Sequence, residues 1–83
     1  MPHDPAYRNA LAAAKASVAY ARQRVREARA DMQIDPARRV MGGLAPSCIR
    51  LMGAEMDYAE MKKRFERLKA QGRLIEGVDF FRA

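Results

Sequence analysis

Threonine and tryptophan are absent from the 83 residues, histidine and cysteine occur once each, and aliphatic hydroxyls are confined to Ser17 and Ser47. Each scarcity removes a class of chemistry. Cys48 has no partner for an internal disulfide, and His3, close to Pro2 and Pro5, belongs to no Cys/His cluster with zinc-ligand spacing. No nucleophile can be matched with a base. The carboxylate pairs Glu27/Asp31 and Glu55/Glu60 stand among Arg and Lys at helical spacing, where solvated ion pairs are the expected role. Neither an enzyme nor a cofactor or metal is expected. Apolar runs fall well short of the ~18 residues of a membrane span, and the start lacks the charged-then-apolar layout of a signal peptide. With one unpaired cysteine, which suits a reducing compartment, the expected location is the cytoplasm.

What is present in excess is positive charge: 16 Lys and Arg against 10 Asp and Glu, for a net +6. Most of the cations are arginine, whose planar fork suits bidentate contact with phosphates or carboxylates. The surplus is spread along the chain rather than gathered in a polybasic tail, so what matters is whether folding collects it on one face. A chain this short forms one domain, 1–83, with a thin core. Without disulfide or metal it relies on regular helix packing or self-association.

From Tyr7 onward, Leu11, Ala14, Val18, Ala21, Val25, Ala28 and Met32 follow in alternating steps of four and three, the spacing of a heptad seam. Asp4-Pro5 is a start signal and Asp35-Pro36 a stop, with no Gly or Pro between. The spacing predicts a helix over 5–33, roughly 43 Å long at 1.5 Å per residue. Half of the seam is alanine, which lets a partner helix approach closely. The pattern predicts that this helix pairs with a second copy, as an antiparallel homodimer. Beside the alanine row stand Arg8, Lys15, Arg22 and Arg29, seven residues apart, thickened by Arg24 and Arg26. This is a candidate partner-binding stripe of the kind that flanks coiled-coil seams.

The second half offers two readings. In one, Gly53 ends a short helix and Asp57 caps a new one, with Glu60 completing a carboxylate version of the capping box and Gly72 closing it. Leu74-Ile75, Glu76-Gly77 and Val78, Phe80, Phe81 then have the order of a short C-terminal β-hairpin. In the other, Leu51, Ala54, Tyr58, Met61, Phe65 and Leu68 continue an unbroken heptad through Gly53, and 46–71 is one arm of a helical hairpin. Gly53 and Asp57-x-x-Glu60 agree on a boundary, so the broken form is expected. Met52, Met56 and Met61 would be adaptable core, or, if exposed, would suit a protein-binding groove.

The fold class expected is therefore mainly α: a long N-terminal amphipathic helix, then a small winged helix-turn-helix-like unit over 45–82. The run Ser47-Cys48-Ile49-Arg50-Leu51-Met52, with Tyr58-Ala59 and Phe65-Glu66-Arg67-Leu68-Lys69-Ala70-Gln71-Gly72, resembles the winged-helix gamma domain of FtsK-type DNA translocases over residues 45–78. The resemblance implies that 58–71 enters the major groove. Arg50, Lys62, Lys63, Arg64, Arg67 and Arg73 would then hold DNA, although Ala59 and Glu60 stand where that family carries amide and arginine groups. The function so implied is that of a DNA-binding regulatory or accessory protein. The competing expectation is a helical protein that docks on an acidic surface of a partner protein.

Overall fold

The computed structural model describes residues 4–75, and its architecture is a two-helix antiparallel hairpin measuring 57 × 23 × 20 Å. Helix α1 spans Pro5–Ile34. The Asp4 carboxylate caps it by accepting from the Ala6 N–H at 3.0 Å, and Pro5 occupies the first turn, where no N–H is missed. At the other end Arg38 donates to the Met32 carbonyl at 3.2 Å, placing a cation on the negative end of the helix. A single turn, α2 (Arg38–Met41), and a 3-10 turn over Gly42–Leu44 carry the chain across the tip. Gly42 sits at φ +58 and ψ −132, a combination open to glycine and strained for other residues. Helix α3 then runs from Pro46 to Gln71, and Gly72, left-handed at φ +69, ends it by donating to the Leu68 carbonyl at 3.2 Å.

The predicted N-terminal helix is present, one residue longer than 5–33. The helix-turn-helix order expected over 45–82 is not: 46–71 is one helix. Gly53 does not break it, because a mid-helix glycine costs only about 1 kcal/mol relative to alanine. That cost is outweighed by packing. Leu51, Ala54 and Leu68 are buried and Tyr58, Met61 and Phe65 half-buried, one stripe in register with α1. Asp57 and Glu60 lie mid-helix, and Glu60 faces Arg64 one turn on at 3.5 Å instead of capping anything. The β-hairpin expected over 74–81 lies, after Leu74 and Ile75, outside the described residues.

The seam of α1 is also where it was expected, and α3 of the same chain packs along it. All eight positions are buried or half-buried against α3 of the same chain. Near the tip, Val25, Leu51 and Ala54 form a cluster against which Ala28, Met32 and Tyr58 pack. At the open end the Tyr7 hydroxyl donates to the Leu68 carbonyl at 3.0 Å in a buried bond. The core is thin: of its seven buried apolar residues, Tyr7, Ala21, Val25, Ala45, Leu51, Ala54 and Leu68, three are alanines.

A glycine inside a continuous helix, with nothing within 4 Å of a Cβ built on it, is a weak point that alanine should repair. Gly53→Ala is expected to stabilise the protein by about 1 kcal/mol, raising the melting temperature by about 4–8 °C. A lowered melting temperature would mean that the helix ends at this residue.

One polar contact fixes the tip. The Asp35 carboxylate accepts from the Ala37 N–H at 3.0 Å and from the hydroxyl of Ser47, which is 1% exposed. The Ser47 hydroxyl, chiefly, and then the Ala37 N–H hold this carboxyl below its ordinary value of 3.8. The unfolded chain therefore takes up the proton more readily than the folded one. The contribution is present above the unfolded value and is lost as pH falls through the lower, folded one. Thermal melts should show stability declining more steeply for the wild type than for Asp35→Asn between about pH 5 and pH 3. Parallel declines would remove Asp35 from the acid response.

Candidate partner-binding surface

A helix advances about 100° per residue, so Arg8, Lys15, Arg22, Arg26 and Arg29 fall within a sector of about 60° on one flank of α1. The contacts agree. Arg22 donates to the Tyr58 hydroxyl at 3.4 Å, with its guanidinium 5.8 Å from that ring's centre, and Lys62 lies over the same ring at 5.9 Å. Arg29 reaches Glu55 at 4.0 Å, with both side chains more than half exposed. Tyr58 thus forms the floor between cations from both helices, and the Arg22 guanidinium holds its phenol below the ordinary value. Cations over a tyrosine face are attracted by the ring quadrupole, which orders Arg22 and Lys62 without neutralising them.

Arg24, grouped with this stripe from sequence, belongs to the opposite edge. It stacks near Tyr20 at 6.0 Å and lines a groove of about 510 Å³ with Ser17, Ala21, Ala54, Asp57 and Met61. Next to it, Glu27, Asp31, Arg50 and Asp57 line a neighbouring depression, so cations and carboxylates alternate there. Of the two edges of the hairpin, one is predominantly basic and the other mixed.

No protein-family model matches the chain, and no curated protein or solved structure matches it either.

The six residues grouped as DNA contacts do not converge. Lys62, Lys63 and Arg64 are consecutive on one helix and therefore point in three directions about 100° apart. Lys62 joins the basic flank, Arg64 faces Glu60, and Arg50 lines the mixed edge. Arg67 is exposed near the C-terminus of α3, and Arg73 lies beyond the helix, its carbonyl accepting from Gln71 at 3.1 Å. Cys48 is half-buried, its thiol 3.5 Å from the Gly42 carbonyl, as befits a packed residue of the tip.

Sequence reasoning missed two features. Tyr58 was read either as the entry of a recognition helix or as a member of the unbroken heptad; neither reading set it beneath Arg22 and Lys62, where it is the platform of the basic flank. Met52 and Met56 are exposed while Met61 is half-buried, a division that follows once 46–71 is one helix. Among the described residues, no helix is long and apolar enough to cross a membrane.

Proposed function

We propose that this is a small cytoplasmic binding protein that acts without catalysis, docking the basic flank of its hairpin on an acidic surface of a partner protein. The observation that carries the reading is the row Arg8, Lys15, Arg22, Arg29. Its members are spaced seven residues, about 10.5 Å, apart, and extend for about 31 Å. Among the described residues only Arg29 of this row faces a carboxylate. A constant step of that length matches the heptad period of an α-helix lying alongside, and flanking charges of this kind set the choice of partner in helical assemblies.

Duplex DNA suits the same flank less well. Phosphates wind away from a straight helix, so a row about 31 Å long would meet them over only part of its length. The groove-reading helix that motivated a DNA reading has become the second arm of the hairpin, with its inner face taken up by α1. Net charge alone continues to favour nucleic acid, so the test contains both.

The experiment is capture from lysate on the immobilised full chain, with and without nuclease, beside a variant carrying Lys15→Glu, Arg22→Glu and Arg26→Glu. Protein capture that survives nuclease and is lost in the variant supports the reading. Capture abolished by nuclease, or unchanged in the variant, overturns it.

A further inference from the structure

The mixed edge of the hairpin is shielded at one end and open further along. Its rows are Ala10, Ser17 and Arg24 on α1 and Asp57, Arg64 and Gln71 on α3, each in steps of seven, so each row keeps nearly one bearing on its helix. Ser17, Arg24, Asp57 and Arg64 are exposed, whereas Ala10 and Gln71, the members nearest the open end, are half-buried. The chain leaving α3 lies on this side. Gly72 turns it in the left-handed conformation, the Gln71 side-chain amide donates to the Arg73 carbonyl at 3.1 Å, and Leu74 and Ile75 are half-buried. The chain thus comes off the helix on the edge that also carries the groove of about 510 Å³ between Ser17, Ala21, Ala54 and Met61.

We infer that the segment that follows, residues 76–83, folds back along this edge as an extended strap and fills the groove, with Phe80 against Ala21, Ala54 and Met61 and Phe81 beside the ring of Tyr20, which is 66% exposed. Length permits it. Met61 and Asp57 lie about 16 and 22 Å back from Gly72 along α3, and Phe80, eight residues past Gly72, reaches about 26 Å in extended chain, enough to include the turn.

Charge order agrees with the same direction. Glu76 and Asp79 precede the aromatic pair and Arg82 follows it. A strap running from the open end passes Arg64, whose side chain is 60% exposed beside Glu60, before it meets the groove. Beyond the aromatics it comes to Asp57, Glu27 and Asp31, which outnumber Arg24 and Arg50 there. Acids therefore fall beside a cation and Arg82 beside carboxylates. Closure takes two phenylalanines out of water and covers the alanine floor of a thin core. Arg8, Lys15 and Arg22 stand on the opposite edge, so the strap stands or falls independently of the partner reading above.

Disulfide trapping in the full chain tests it. On a Cys48→Ser background, oxidation of Phe81→Cys with Ser17→Cys at about 10 μM should close an intramolecular disulfide at least ~10-fold faster than Phe81→Cys with Lys15→Cys, because a seated strap raises the effective concentration of the first pair alone. A second measurement leaves the groove unaltered: Phe80→Ala with Phe81→Ala should move the methyl resonances of Ala21, Ala54 and Met61 and leave those of Ile49, Met52 and Met56 in place. Equal rates for the two cysteine pairs, or methyl shifts that pass the groove by, overturn the inference. So does a disulfide that joins two chains, which would seat the segment of a second copy in the groove.

Discussion

Ala21→Glu is expected to abolish the fold. Ala21 is buried at the interface between α1 and α3, and with Ala54 it lines the groove between the helices, so the seam there is built of small side chains. A glutamate in its place either carries an unpaired charge into the seam or forces the helices apart along adjoining turns. Stranding a charge in a packed interior costs about 3–5 kcal/mol. A core with three alanines among seven buried apolar residues has little reserve against a loss of that size. Circular dichroism at 25 °C should show most of the helical signal lost, whereas Ala13→Glu, on the exposed side of the same helix, should stay within about 0.5 kcal/mol of wild type. If the seam instead joined two copies of α1, Ala21→Glu would split a dimer and leave folded, helical monomers. Retained helicity in this variant would thus overturn the hairpin.

The next largest effect is expected on binding, from the triple reversal of Lys15, Arg22 and Arg26. Each site is exposed, none belongs to the seam, and among the described residues none faces a carboxylate, so the fold should persist. Reversal changes the local charge by six and sets glutamates against the acidic partner. Rim charges mainly steer association, but several reversed together turn attraction into repulsion along two turns or more of helix. Loss of partner affinity by about 100-fold or more is expected at physiological salt, shrinking as salt rises. Neutralising the same sites to alanine should cost less than reversing them. If alanine and glutamate variants bind alike, the side chains act through something other than their charge.

Much of the fold is legible in the sequence because its strongest signals are periodic. The seam of α1 and both its ends follow from the four-three spacing, Asp4-Pro5 and Asp35-Pro36. The inner stripe of α3, from Leu51 to Leu68, was visible too. What misled was local chemistry: Gly53 and Asp57-x-x-Glu60 resemble a helix boundary, and their preferences are worth about a kilocalorie each. The opposing term, burial of a stripe along an entire facing helix, is larger and non-local, so it shows only when the two seams are set side by side. The same reasoning accounts for Arg24, a near neighbour of Arg22 and Arg26 in sequence but on the other edge in space. Asp35 announced the end of α1, yet nothing near it in the chain pointed to Ser47, 12 residues away, as the partner of its carboxylate.

That pair and the Tyr7 bond mark the two ends of a ladder of contacts whose separation along the chain widens steadily, from 12 residues at the tip to 61 between Tyr7 and Leu68. The entropy lost on closing a loop grows with its length, so the rungs nearest the tip are the easiest to form, and each prepares the next. Association of the arms is then ordered from the bend outward, and Tyr7, a large buried ring whose hydroxyl reaches the Leu68 carbonyl, acts as a latch at the end where closure from the unfolded chain is most expensive.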